Sequence, residues 1–300
     1  MGKTLLILLG PTAVGKTELS ISIAEQLGIP IINADSRQIY KGMPIGTATP
    51  TKEQQARVKH FFVETLPLEK QYSAACYETD ALEVINRLFE KSDTAFMSGG
   101  SMLYIDAVCH GIDDIPTVDD FTRHELMTRL KNEGLVRLRE ELRIIDPRTY
   151  DKIDLKNPRR IVHALEIYYC TGKPYSSFLK HHGKHRPFNI IKIGLRRERT
   201  DLFHRINQRV DTMMEQGLYD EAQRLYPHRA YNALQTVGYN ELFHVIEGNW
   251  EKPFAVEKIK RNTRVYAKKQ MTWFAKDKDI HWFHPNETAD IKQFIATCLS

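Results

Sequence analysis

The sequence predicts an α/β fold, a parallel sheet wrapped by helices and interrupted by an inserted helical domain. Three features carry that reading: short apolar runs that end in glycine or polar residues, segments of helical period after them, and one gap too long for a single crossover. Residues 3–9 (KTLLILL) form the first run, and Lys16 to Leu27 then repeats apolar residues at Leu19, Ile23 and Leu27, which gives strand, loop, helix. Residues 29–34, 94–98 and 189–195 read as the second, third and fourth strands, with 280–283 a candidate fifth. Strands alternating with helices place ligands at the carboxyl ends of a parallel sheet.

About ninety residues separate the third and fourth strands, more than one crossover helix needs. Segments 121–131, 135–145 and 158–171 within this gap have helical period, and Pro158 suits a first helical turn. The expected division is therefore a core of residues 1–111 and 188–300, with a helical insertion over 112–187 that returns through the polar stretch 181–185. Helices are expected again over 201–216, 219–225, 239–247 and 256–274.

A hydrophobic fraction of 42% and a charged fraction of 27% exclude disorder, collagen and coiled coil. The four cysteines, Cys76, Cys109, Cys170 and Cys298, are too sparse for a disulfide framework, so a reducing cytoplasm is the expected compartment. The first apolar run is too short for a signal sequence or a membrane span, and neither end carries a lipidation motif. The net charge of +5 is unevenly distributed: 121–187 holds 15 Lys/Arg against 8 Asp/Glu, 256–278 holds 8 against 2, and the remainder is negative. Positive potential confined to two regions is the footprint of a polyanion partner. Within the second region Lys260, Arg264 and Lys268 recur every four residues, a basic stripe on a helix whose other residues can pack.

Gly10-Pro11-Thr12-Ala13-Val14-Gly15-Lys16-Thr17 matches GxxxxGK[ST] between a buried strand and a helix, so the fold is expected to be P-loop NTPase-like. Backbone N–H groups and the helix N-terminus suit a diphosphate or triphosphate, Lys16 adds a point charge, and Thr17 offers a hydroxyl to Mg²⁺. An ATPase also needs an acid at the end of a neighbouring strand, yet the third strand ends Met97-Ser98-Gly99-Gly100. The acid instead follows the second strand, at Asp35. There it can take a proton from a nucleophile, or simply cap a turn. Ser36 and Gln38 carry the same ambiguity, although a glutamine amide can pair bidentately with adenine.

The ordered set GPTAVGKT at 10–17, DSRQIY at 35–40, GTATP at 46–50, YSAA at 72–75 and GGSMLY at 99–104 continues with NPRRIVHALEIYYCTGKP at 157–174, RINQRVDTMMEQGLYDE at 205–221, QTVGYNEL at 235–242 and TRVYAKKQMTWF at 263–274. Together these motifs resemble the tRNA dimethylallyltransferase family from about residue 3 to 283. The resemblance implies transfer of the five-carbon group of dimethylallyl diphosphate to N6 of the adenine immediately 3′ of the tRNA anticodon, with Mg²⁺ and release of diphosphate. It implies that Gly10 to Thr17 hold the diphosphate, that Arg209 neutralises it, and that Asp35 is the general base. It further implies RNA contacts at Asp35, Ser36, Arg37, Gln38, Ser101, Arg123, Arg159, Arg160, Ile161, Val162, His163, Gly238, Tyr239, Lys268 and Gln270. The partners expected are the tRNA anticodon stem-loop and dimethylallyl diphosphate, with no membrane and no obligate protein partner.

Departures from the family pattern are Ser101 in place of a threonine, His163 where a basic residue is frequent, and Asn240 in place of Arg or Lys; they bear on RNA affinity rather than on the proposed catalytic set. Competing readings are an isopentenyltransferase acting on free adenine nucleotides, a small-molecule P-loop kinase and a non-catalytic RNA-binding protein. The two basic segments count against the small substrates, and Lys16, Thr17 and Asp35 count against the last.

Overall fold

The computed structural model describes residues 2–179 and 183–299, so His181 and His182 of the expected 181–185 return lie outside the described residues. The chain divides into two compact units, Met1–Gly111 with His185–Ser300 and Ile112–Lys184. The first contains a six-stranded, wholly parallel sheet of β1 (Thr4–Leu9), β2 (Ile31–Ala34), β3 (His60–Phe61), β4 (Thr94–Gly99), β5 (Asn189–Leu195) and β6 (Ile280–Phe283), in the order β3-β2-β4-β1-β5-β6. The two-residue β3 has no sequence signature, because so short a strand is defined by its pairing with β2 and not by periodicity.

β1 is buried throughout and apolar from Leu5 to Leu9 because helices cover both faces of a parallel sheet. Leu5, Ile7 and Leu9 pack on one side with α3 (Ala74–Phe89) and α4 (Met102–His110). Leu6 and Leu8 pack on the other with α1 (Lys16–Leu27), α8 (Arg199–Glu215) and α12 (Thr288–Leu299). Leu5 to Leu8 are fully buried, each stabilising the fold by about 1.5–3 kcal/mol relative to exposure. Gly28, in the left-handed conformation, ends α1 and returns its N–H to Ala24 and Glu25.

A third cluster in the same unit joins Ile39, Tyr40 and Met43 to α8, α9 (Leu218–Leu225), α10 (Tyr239–Ile246) and α11 (Lys252–Phe274). A two-turn helix, α2 (Lys52–Arg57), opens with a capping box between Thr51 and Gln54.

The second unit is helical: α5 (Asp120–Ile145), α6 (Pro147–Tyr150) and α7 (Pro158–Thr171) enclose a core that includes Leu126, Leu138, Leu142, Ile161 and Leu165. The two helices expected over 121–131 and 135–145 form one run broken at Gly134, whose φ of 82° and ψ of 165° depart from helical values. Among the described residues, no helix is long and apolar enough to cross a membrane.

Candidate active site

Four neighbouring strands deliver their carboxyl ends to one cavity of about 890 Å³ in the first unit. β1 continues into the phosphate loop, β2 into Asp35, β4 into Gly99-Gly100 and β5 toward Arg197, and residues of all four segments line the cavity. β1 lies between β4 and β5 while β2 lies beyond β4, so the crevice opens where the winding direction reverses.

The first turn of α1 points its N–H groups at this cavity, and its N-cap, Gly15, adds no side chain to occupy them. The Lys16 ammonium donates to Gly10 O at 2.9 Å and Pro11 O at 2.8 Å, which draws it back over the loop. Burial lowers the Lys16 pKa to about 7; repulsion by Arg209 adds to the effect and Asp35 opposes it. Burial likewise lowers the pKa of Arg209, again against the attraction of Asp35. One carboxylate thus faces two desolvated cations. Thr17 is exposed at the cavity wall.

Three side chains outside the loop shape it. Arg205 donates to Ala13 O at 3.1 Å and Arg197 to Val14 O at 2.9 Å. Gln270, 2% exposed, accepts the Thr12 N–H at 2.9 Å and donates to Gly100 O at 2.8 Å. A Cβ on Gly100 would stand 2.6 Å from Gln270 Nε2, so any other residue there would push this amide aside. Arg197, Arg205 and Tyr266 line the cavity but were not anticipated among the site residues. The i,i+4 spacing of Arg205 and Arg209 within RINQRV was the available signal, since it puts both on one face of α8. Tyr266, 39% exposed, sits one turn before Gln270 on α11, and desolvation of its hydroxyl within the cavity, with Asp35 nearby, pushes its phenol up to about 12.

Asp35 Oδ1 accepts the N–H groups of Arg37 at 2.8 Å and Gln38 at 3.2 Å. The carboxylate therefore does cap a turn, and it also lines the cavity. Gln38 Nε2 donates to Thr47 O at 3.1 Å and Ala48 O at 3.0 Å. Bidentate pairing with adenine would need that NH₂ group, so only Oε1 remains to face a base. Arg37 anchors the chain after α9 by donating to Asn232 O at 2.7 Å and Ala233 O at 3.3 Å.

Ser36 and Ser101 stand beside the site without lining the cavity; Ser101 is 8% exposed and opens α4 without a side-chain cap. Tyr239 is fully buried and bonds Glu221, which removes its ring from any RNA-facing surface, and the buried Gly238 donates its N–H to Glu241 at 2.8 Å. Gln270 is similarly corrected, from an RNA contact to a brace, because both ends of its amide are engaged. Of the basic stripe on α11, Lys260 pairs with Asp211 at 2.8 Å and Arg264 bonds Asn207, while Lys268 is exposed. Tyr104 belongs to the core, stacked on Tyr77 at 4.1 Å. The Trp273 indole bonds Asp106 at 2.7 Å.

In the second unit, α7 separates the expected RNA contacts by face. Arg159 and Arg160 are exposed on its first turn and His163 is half-buried. Ile161 and Val162, 0% and 4% exposed, are core residues, so their side chains do not form an RNA surface. Glu166, 5% exposed, approaches Arg123 at 3.5 Å and His163 Nδ1 at 3.3 Å, tying those two side chains to one buried carboxylate.

Comparison with known proteins adds three kinds of likeness. The IPP transferase family matches residues 38–277. A protein of Phocaeicola vulgatus named tRNA dimethylallyltransferase 1 is 56% identical over 98% of this chain and 98% of its own length, and one of the same name from Bacteroides fragilis is 53% identical over 98% and 97%. The crystal structure of the full-length tRNA isopentenylpyrophosphate transferase of Bacillus halodurans is similar with a TM-score of 0.71, at 36% identity, covering 98% of this chain and 96% of that one.

Proposed function

We propose, from the premise that this chain belongs to the tRNA dimethylallyltransferase family, that its central cavity moves the dimethylallyl group of dimethylallyl diphosphate onto N6 of the adenine 3′-adjacent to the tRNA anticodon. The N6 lone pair attacks the allylic carbon, the C–O electrons leave with diphosphate, and the N6 proton passes to Asp35. Charge grows on the departing diphosphate as that bond breaks. Fixed cations aimed at it therefore act most strongly in the transition state. The first-turn N–H groups of α1, with Lys16 and Arg209, hold the diphosphate; the guanidinium is suited to two of its oxygens at once. Arg197 and Arg205 keep the loop peptides in place through Val14 O and Ala13 O.

Among the described residues no group of three or more His, Cys, Asp or Glu is arranged to hold a metal. The nearby hard donors are the Thr17 hydroxyl and the Asp35 carboxylate, both at the cavity wall. That sparse oxygen set fits Mg²⁺, which keeps waters and takes substrate phosphate oxygens instead of a protein cage. Thr17 would hold the ion, which when bound neutralises diphosphate charge.

What supports this reading best is the pairing of Asp35 with Lys16 and Arg209 in one cavity, a proton acceptor opposite an anion cradle. β4 ends in Gly99-Gly100, where a nucleotide hydrolase would carry its acid. RNA reaches the protein through the exposed Arg159 and Arg160 of the insertion, with Arg123 and His163 beside them, and through Lys268 of the core. The test is incubation with labelled dimethylallyl diphosphate and Mg²⁺, with either tRNA or AMP as acceptor. Label is expected in tRNA. Label in AMP, or ATP hydrolysis without prenyl transfer, would overturn the proposal.

A further inference from the structure

Glu221, on α9, is completely buried and does not line the cavity. Its two oxygens accept three hydrogen bonds: Ile45 N–H at 3.0 Å, Gly46 N–H at 2.8 Å and the Tyr239 hydroxyl at 2.7 Å. Tyr239 packs so closely on the same segment that a Cβ on Gly46 would fall 2.5 Å from its ring. The next residues fold into a compact turn, with Thr47 N–H on Met43 O, Ala48 N–H on Ile45 O and Ala48 at a φ of 50°. The carbonyls of Thr47 and Ala48 then point at Gln38 Nε2, at 3.1 and 3.0 Å.

Taking the reading above as its basis, we infer that Glu221 and Tyr239 are positioning residues for acceptor selection: they fix the turn at residues 45–48, whose two carbonyls lock the Gln38 amide with Oε1 toward the acceptor base. Two carbonyl oxygens repel Oε1 and attract the NH₂ group, so the amide has one orientation. An acceptor held at this place suits a base that offers an amine, as adenine does at N6, and repels one that offers a carbonyl there. Selection for the amino group thus begins with a carboxylate behind the turn and passes through the backbone of residues 45–48. A glutamine at 221 would point an NH₂ group at one of three donors, loosening the turn and freeing Gln38 to flip.

The test uses anticodon stem-loops carrying adenosine or inosine at the acceptor position, since inosine replaces the N6 amine with a carbonyl oxygen. Binding to the full chain is measured with Mg²⁺ and pyrophosphate present, for the unaltered protein, Glu221→Gln and Tyr239→Phe. The unaltered protein should prefer adenosine, and Glu221→Gln should reduce that preference by about two- to tenfold, the usual net value of one hydrogen bond. Pyrophosphate affinity should not change. Tyr239→Phe removes one of the three hydrogen bonds without altering shape, and should shift the preference the same way to a smaller degree; it keeps the test decisive if Glu221→Gln does not fold. A role confined to stability predicts lower melting temperature with adenosine preference intact, and that result in either folded variant overturns the inference. Prenyl transfer to tRNA by the unaltered protein is scored separately, so its failure would reject the underlying activity rather than the positioning role.

Discussion

Gln270 accepts the backbone N–H of Thr12 at 2.9 Å, an amide near the end of α11 reaching into the loop that follows β1. Its NH₂ group donates to Gly100 O, so one side chain joins the phosphate loop to the end of β4. Gln270→Leu leaves both backbone groups without that partner, at about 1–3 kcal/mol each where they remain buried. Weaker pyrophosphate binding with unchanged stem-loop affinity is expected in calorimetric titrations. A selective loss of RNA affinity would return Gln270 to the RNA contacts.

Asp35→Ala removes the proposed proton acceptor and the cap on residues 37 and 38 together, whereas Asp35→Asn keeps an oxygen for the cap. Both variants should bind stem-loop RNA, and both should slow single-turnover prenyl transfer on the order of 10²–10⁴-fold. Undiminished transfer in the asparagine variant would remove Asp35 from that role.

Folding lowers the Lys16 pKa from 10.5 to about 7, so between those values the unfolded chain carries a proton that the folded chain lacks. The cost of a charged Lys16 is therefore present in full below pH 7 and is relieved as pH rises toward 10.5. Pyrophosphate favours the charged ammonium, so binding above pH 7 takes up a proton and affinity falls with rising pH. Lys16→Arg stays charged and should lose this component. Titration in buffers of different ionisation enthalpy measures the proton uptake, and equal uptake by the two proteins would refute the assignment.

Arg160 and Ile161 are adjacent in sequence but face opposite environments, one exposed and the other fully buried. Arg160→Ala should weaken stem-loop binding and reduce the salt slope by about one, while leaving thermal stability unchanged. Ile161→Ala should destabilise the helical unit by about 2–5 kcal/mol. Salt-dependent binding isotherms and thermal melts separate the two. Equal effects of both substitutions on RNA affinity would contradict the division of α7 into two faces.

Much of the fold was legible because its signals are local. β1 is a continuous apolar run from Leu5 to Leu9, the phosphate loop is contiguous, and Asp35 follows directly on β2, so each could be read within a window of a few residues. The division of α5 was equally legible as two helical segments, 121–131 and 135–145, and the structure puts the break at Gly134 between them. Arg205 was missed although its spacing from Arg209 was visible, because a pair of arginines on one helix face is as consistent with solvent as with a cavity.

By itself the sequence determined the strands other than β3, the helical segments of the insertion, the anion-binding loop, the acid after the second strand and the concentration of basic residues in two segments. Only the tertiary structure decided which members of each motif face a ligand. Arg160 is exposed while Ile161 is buried, Gln38 engages two carbonyls of the nearby 45–48 turn, and Gln270 engages backbone groups far along the chain. The physical reason is that a motif is contiguous whereas exposure follows the helical period and the partners that packing brings. A side-chain amide or carboxylate takes its role from the donors and acceptors around it, and both partners of Gln270 and the two backbone donors to Glu221 come from residues more than 150 positions away.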